Sequence, residues 1–592
     1  NALGIMGFTG FLLTPLTRIR RSLWSSEQMG LMSLGALVGV LGGYGAVGFR
    51  WLISFLRKLS YGSDADFLQV LSNQDWWYLL LIPALGGLLV GPLIYFLARE
   101  AKGHGVPEVM DAVTLHGGVI RKRVVVIKSL ASALSIAVGG SVGREGPIVQ
   151  IGSAIGSALG QFMKASPNRM RVLVGCGAAA GIAATFNAPV AGMMFALEII
   201  LGEFAIATFS PIVLSAVMAT AISRFHLGDF PAFLVPHYQL VSAWEFALYA
   251  ALGLAAGVVA VTFTTVLYKV EDLVDDWKFP EYLKTPVTGF VLAAMGLVFP
   301  MVLGVGYEGI ELALQNKLTW WLLLSVLGVK ILATSLTIAG GMSGGIFAPS
   351  LFMGAMLGGV FGKMANGLFP DITSGPGAYA IVGMAAVVAG TTHGPLSAFL
   401  ILFEMTGDYK IILPLMIGCV ISTLVAQRIR PESIYTLKLI RRGVDIQAGK
   451  EMNLLRSITV RDAMSKQVVS VPQNMSLGSF HDFLIRSKHA SFPVVDHENK
   501  LVGIVSHADY ADHFHDHNLW DVVVVGDLAT RAVKTVTSDQ TLEEALRTIS
   551  GKDYATLPVV AGPNDFSLVG IISHRDIISV YTRRLRKTSI QE

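Results

Sequence analysis

The chain has 592 residues, of which 53% are hydrophobic and only 15% charged, with a mean hydropathy of +0.59. That balance excludes a soluble protein of this length and points to a membrane protein. The formal net charge of +4 is small and spread along the chain, which argues against a nucleic-acid partner.

In chain order, residues 1–30 are expected to form an N-terminal cytoplasmic segment. The apolar opening, Asn1 to Leu16, lacks a basic flank and an A-x-A-like site, so no cleaved signal peptide is expected. Arg18, Arg20 and Arg21 precede the first long span and place that flank in the cytoplasm by the positive-inside tendency. Residues 31–429 form the predicted transmembrane domain. A bilayer core requires about 20 apolar residues per spanning helix, and such runs recur around 32–56, 77–98, 246–268, 283–303 and 410–426. The stretches 147–162 and 174–186 are short or interrupted by Gly and Pro, and predict partial or tilted helices. Cys176 and Cys419 sit in apolar segments as buried structural thiols, with no disulfide and no metal site expected. Arg428, Arg430, Arg441 and Arg442 return the chain to the cytoplasm. A linker, 430–456, then leads into a tail richer in charge, where strand patterns such as "KLVGIVS" and "SLVGIIS" predict a soluble α/β domain.

Two sets of internal repeats organise the chain. In the tail, "VRDAM" at 460 pairs with "VGDLA" at 525, "FPVV" at 492 with "LPVV" at 557, and "GIVSHAD" at 503 with "GIISHRD" at 570, at an offset of 65 and then 67. In the membrane part, "GREGP" (143–147) pairs with "GIFAP" (345–349). Gly152, Gly156 and Gly160 match Gly354, Gly358 and Gly362, and Pro189 and Glu198 match Pro395 and Glu404 at the same spacing of nine.

Transporters built from two related halves place their substrate near the repeat interface, on broken helices. The G-x-x-x-P elements add chemistry. Pro favours the first helical turn, and the glycines let backbone N–H groups approach a ligand. Two helix starts facing each other favour a small anion without a bare Lys or Arg. Glycines spaced by four have a second reading, close helix packing. Glu145, in a charged pair with Arg144 inside this apolar region, is either a functional intramembrane carboxylate or a Glu favouring its own helix N-terminus.

The segments "GHGVPEV" (103–109), "GREGP", "FNAP" (186–189) and "GGIFAP" (344–349) resemble the signature segments of the CLC chloride channels and chloride/proton antiporters, and the tail resembles paired cystathionine-beta-synthase (CBS) domains. The resemblance implies an all-α polytopic membrane domain of two inverted-topology repeats with broken helices, followed by an α/β tandem CBS domain at 457–516 and 522–585. It also implies a homodimer in the plasma (inner) membrane, multi-pass, with the tail cytoplasmic and one chloride pathway per subunit. Glu145 is then the gating glutamate, which protonation would discharge and release. The anion would be bound by Gly146, by the backbone N–H groups of Ile346 and Phe347, and by the Tyr435 hydroxyl, although Tyr435 also reads as an interfacial tyrosine. His104 stands where the family carries a serine, and its imidazole either donates to the anion or turns away. Ile199 stands where many antiporters carry an inner proton-accepting glutamate. Glu203, placed one helical turn beyond it, is a proton-path candidate and equally a solvated helix end.

In the tail, Ser506, Asp509, Ser573 and Asp576 match the phosphate- and ribose-binding positions of nucleotide-binding CBS domains, so an adenine nucleotide is the ligand implied there. The same residues also read as helix caps. No other cofactor is required. Chloride/proton antiport is the reading preferred for the whole chain, with a passive voltage- or pH-gated chloride channel as the alternative and a CBS-regulated cation transporter as a remote one. No enzyme is expected, since a membrane metalloprotease would need H-E-x-x-H, which does not occur.

Overall fold

The computed structural model describes residues 27–63, 67–229, 240–444, 455, 458–487, 489, 491–506, 509, 520–550, 556–563 and 565–590. Arg18, Arg20, Arg21, the segment 1–16 and most of the second half of the 430–456 linker lie outside the described residues. The chain divides into two compact units after Leu439.

The first unit is helical. Its main helices are α1 (Glu27–Tyr61), α2 (Trp76–Pro92), α3 (Val106–Leu115), α4 (Arg123–Ala137), α5 (Glu145–Phe162), α6 (Pro167–Phe186), α7 (Pro189–Phe195) and α8 (Ile206–Leu227). There follow α9 (Glu245–Asp275), α10 (Glu281–Val298), α11 (Tyr307–Leu314), α12 (Trp320–Ala339), α13 (Phe347–Leu368), α14 (Pro376–Thr392), α15 (Pro395–Thr406), α16 (Ile412–Ile429) and α17 (Ile434–Arg441). Each helix from α1 to α8 has its counterpart eight places on, and α17 stands outside the repeat. Among the described residues, eight helical stretches are long and apolar enough to cross a membrane.

Local sequence sets the helix ends in both copies alike. Pro167, Pro189, Pro376 and Pro395 open α6, α7, α14 and α15, where a missing N–H costs nothing. Asn187 and His393 close α6 and α14 in the left-handed conformation, with φ of +58° and +57°. The glycine series resolves as packing. A Cβ at Gly152 or Gly156 would run into backbone carbonyls of α6, and one at Gly354 or Gly358 into those of α14. That contact also corrects one expectation. The stretch 174–186 is no partial helix but the end of the 20-residue α6, because its glycines, Gly177 against Gly152 among them, let α6 lie flush on α5.

The second unit holds two three-stranded sheets. In the first, β1 (Val471–Pro472) runs parallel to β2 (Ser491–Val495), which pairs antiparallel with β3 (Leu501–Ser506). In the second, β4 (Val536–Thr537), β5 (Thr556–Val560) and β6 (Leu568–Ser573) repeat that order. The two cores exchange segments. Ile458 and Val460, ahead of the first sheet, pack with Val536, Leu542 and Ile572 of the second. Val525 and Ala529 pack with Val471, Phe480 and Phe492 of the first. Reciprocal backbone bonds hold the exchange, Ser465 with Ile571 and Thr530 with Ile504. The repeats in sequence are therefore not the units in space, since "VRDAM" completes the core of the second copy and "VGDLA" that of the first.

Candidate functional site

The two G-x-x-x-P segments meet. Gly143 N–H donates to Gly345 O at 2.7 Å and Gly345 N–H to Gly143 O at 2.6 Å, an antiparallel bridge that ties the start of α5 to the start of α13. Only glycine permits this approach. A Cβ on Gly345 would lie 2.7 Å from Gly146 N, and one on Gly146 would strike His104 O. Each preceding loop is held by hydroxyls from the other half. Ser343 bonds Ser132 Oγ at 2.8 Å and Ser135 Oγ at 3.1 Å on α4, while Ser141 bonds Thr334 Oγ1 at 3.2 Å and Thr337 Oγ1 at 3.3 Å on α12.

A buried lysine braces each broken segment. Lys128 Nζ donates to the carbonyls of Ala101 (3.0 Å) and Gly103 (2.8 Å), and Lys330 Nζ to those of Val302 (3.0 Å) and Gly304 (3.1 Å). These carbonyls are crowded at chain turns, and an ammonium with three donors satisfies several at once. The two lysines were not singled out from the sequence. Their spacing carried the signal, because Lys128 and Lys330 are separated by 202 residues, as are Gly143 and Gly345.

Around this bridge stand most of the expected site residues. Ile346, Phe347, His104 and Tyr435 are all buried, and the His104 and Tyr435 rings lie 5.9 Å apart between centroids. His104 sits between Gly103 and Gly105, both at positive φ, in the turn that enters α3. Tyr435 lies on α17, with Lys438 one turn further along. The Lys438 ammonium rests against Gly103 and 3.9 Å from Glu108 Oε1. That ion pair too was unforeseen, because Glu108, in the GHGVPEV segment, and Lys438 lie 330 residues apart.

Glu145 is 1% exposed. Its carboxylate occupies the space that a Cβ on Gly143 would fill, with the backbone N–H of Ala348, in the first turn of α13, beside it. First-turn N–H groups lack intrahelical acceptors and carry the positive end of the helix dipole. The carboxylate thus sits at the positive end of α13. Tyr307 Oη donates to Glu145 Oε1 at 2.5 Å, and the Arg144 guanidinium lies over the Tyr307 ring, 5.4 Å from its centroid. Arg144 also lines a small surface cavity with Arg50, away from the glycine bridge.

Glu203 is not brought to this cluster. The helix after α7 closes as a π-turn at Leu201, and Gly202 leaves it in the left-handed conformation at φ +66°. Glu203 therefore does not continue the face of Ile199; it lies in the loop, 46% exposed, 4.0 Å from Arg171 Nη2. Glu198 and Glu404 cap each other's halves. Glu198 accepts from the N–H groups of Leu396 (3.1 Å) and Ser397 (2.7 Å) at the start of α15, and Glu404 from those of Val190 (3.1 Å) and Ala191 (2.7 Å) at the start of α7.

In the tail, Ser506 N–H and Oγ donate to Asp509 Oδ2 at 2.7 and 2.6 Å, and Ser573 N–H and Oγ to Asp576 Oδ2 at 2.9 and 2.6 Å. Both pairs have the same geometry, a serine at a strand end closed onto the aspartate three residues on.

Residues 86–427 match the profile of the voltage gated chloride channel family, and residues 460–516 and 525–583 match that of the CBS domain. The chain is 35% identical over 419 residues to a ClcB-like chloride channel protein of Ralstonia nicotianae, covering 70% of this chain and 98% of that one. It is 30% identical to the H(+)/Cl(-) exchange transporter ClcA of Salmonella arizonae, covering 70% of this chain and 89% of that one. A solved structure of a slow cyanobacterial Cl-/H+ antiporter superposes with a TM-score of 0.63 at 28% identity, covering 70% of this chain and 97% of that one.

Proposed function

The chain belongs to the voltage-gated chloride channel (CLC) family, and from that premise we propose that it exchanges chloride for protons across a membrane, with Glu145 as the protonatable gate. One observation carries this reading: the Glu145 carboxylate lies at the first turn of α13, between two helix starts bridged by Gly143 and Gly345. Charged, it competes with an anion for the positive end of the same helix start. Protonated, it loses that advantage and yields the place to chloride, so proton uptake and anion entry are linked at one side chain.

The central anion is bound by the N–H groups of Ile346 and Phe347, by Gly146 and by the Tyr435 hydroxyl. His104 faces Tyr435 and supplies an imidazole where the family carries a serine hydroxyl, which makes halide selection the property most open to change. The inner proton route bypasses both Ile199 and Glu203, whose place off the helix favours an inner-surface role. The assembly is a homodimer with the CBS tail in the cytoplasm, where the tail biases transport by binding an adenine nucleotide at Asp509 and Asp576.

Flux from reconstituted vesicles tests the reading. Chloride efflux should drive uphill proton uptake in the parent protein, and Glu145→Ala should retain chloride movement while losing proton movement. Chloride efflux without proton uptake in the parent would make the protein a passive channel. Absence of any halide flux would overturn the assignment of the site itself.

A further inference from the structure

Tyr307 plays no part in the scheme above, yet its phenol makes the closest side-chain contact to Glu145, at 2.5 Å. The backbone aims it there. Gly306, at φ +91°, turns the chain into α11 under the face of Phe352, whose Cδ2 would lie 2.7 Å from any Cβ at that position. Tyr307 is the first residue after the turn, and its ring crosses from the second half of the repeat to reach a carboxylate on the first. The ring is fixed on its other face by the Arg144 guanidinium.

We propose that Tyr307 is a latch for the gate, a positioning residue that donates its O–H to Glu145 and holds the charged carboxylate in the place of the anion. The proposal rests on the reading of Glu145 as the gate. A hydrogen bond to a carboxylate is roughly twice as strong as one to a neutral oxygen. The latch is therefore tight while Glu145 is charged and weak once it is protonated, so acid releases the gate twice over, by discharging it and by loosening its tether. The charged and titratable groups around this pair are Arg144 at the start of α5, Arg50 on α1, Tyr435 on α17, His104 beside Gly146 and Tyr435, and Lys330 on α12 beside Gly306. The Glu145→Gln background separates the response of Glu145 and its tether from that of these neighbours.

The sign follows. Tyr307 favours the charged, seated form, so its removal lets the neutral form appear at higher pH. Tyr307→Phe keeps the ring under the Arg144 guanidinium while deleting the hydroxyl that donates to Glu145 and also bonds Arg144. The pH midpoint of chloride flux should move up by about one unit, and flux at neutral pH should rise several-fold. In a Glu145→Gln background the same substitution should change neither. Replacement of Tyr307 by 3-fluorotyrosine, a nearly shape-conserving and somewhat stronger donor, should move the midpoint the other way. Unfolding temperature in detergent is recorded for each protein.

An unchanged midpoint in Tyr307→Phe, or an equal loss of flux with and without Glu145, would overturn the latch. Were Tyr307→Phe to misfold, the 3-fluorotyrosine protein decides, and an unshifted midpoint there would overturn it as well. Failure of the gate looks different, since Glu145→Gln would then keep its proton coupling and its acid response whatever stands at position 307.

Discussion

Replacing Gly345 with Ala puts one methyl group into the tightest point of the membrane unit. A Cβ there lies 2.7 Å from Gly146 N, 3.2 Å from Gly143 O and 3.3 Å from Gly146 Cα, all backbone atoms that no rotamer change can move aside. The two loops must separate, and with them the reciprocal bonds at 2.6 and 2.7 Å. Each backbone bond contributes about 0.5–1.5 kcal/mol net, and overpacking of a filled interior costs about 1–3 kcal/mol. The expected loss is about 2–6 kcal/mol in chemical unfolding of the detergent-solubilised protein. Chloride affinity, read by isothermal titration, should fall along with it, because the same loops set the spacing of the helix starts. Gly328→Ala on α12 is the control, since a Cβ there meets nothing within 4 Å. It should leave affinity alone and stabilise by up to about 1 kcal/mol through helix propensity. A Gly345→Ala protein with parental stability and affinity would refute the claim that this bridge spaces the site.

Three further outcomes follow from contacts elsewhere. Glu198→Ala and Glu404→Ala each remove a carboxylate that accepts two N–H groups at the first turn of the opposite half. Each should cost about 1 kcal/mol, and equilibrium unfolding that shows no loss for either would remove their capping role. Lys438→Met strips the ammonium from a pair in which both side chains are nearly buried, at 8% and 11% exposure. Its stability should drop by about 3 kcal/mol, and Glu108→Gln in the same chain should recover part of it; a double-mutant cycle without coupling would contradict the pairing. In the tail, Asp576→Ala leaves Ser573 N–H and Oγ without their acceptor. The thermal transition of the tail should fall by the equivalent of about 1 kcal/mol even without nucleotide. If titration of the full chain with ATP, ADP and AMP gives no heat, the capping role is the whole role.

What was legible in the sequence was what the backbone demands. The glycines and prolines at 143–147 and 345–349 announced two helix starts because close approach and a missing N–H leave few alternatives, and those starts do meet. Long-range side-chain partners were not legible. Glu108 and Lys438 are separated by most of the membrane unit, and no local rule brings an ion pair together across it. The break after α7 was misjudged for a related reason. The spacing from Ile199 to Glu203 suits a continuing helix, and only the backbone turn at Gly202 shows that the face ends there. The exchange of segments between the tail cores escaped because two repeats with the same pattern can each complete the other as well as themselves.

The internal repeat also separates scaffold from working parts. Where both halves carry the same chemistry, the residue holds structure twice: Lys128 and Lys330 on turn carbonyls, Glu198 and Glu404 on helix starts, Ser141 and Ser343 on facing hydroxyls. A two-fold scaffold gives no reason for its copies to differ at corresponding positions unless one copy has something further to do. The offset that relates Gly143 to Gly345 sets Glu145 opposite Phe347, which packs on Phe186. Val106 and Tyr307 correspond by their place in the fold, at an offset of 201, each the first helical residue after a glycine at positive φ, Gly105 and Gly306. Glu145 and Tyr307 are thus both departures from the repeat, one in each half, and they are hydrogen-bonded to each other. Two unrelated breaks in symmetry have no cause to meet, whereas a gate and its latch must. Restoring the symmetry at both positions, with Glu145→Phe and Tyr307→Val, should leave a folded protein whose flux no longer responds to acid, and a retained acid response would place the proton chemistry elsewhere in the chain.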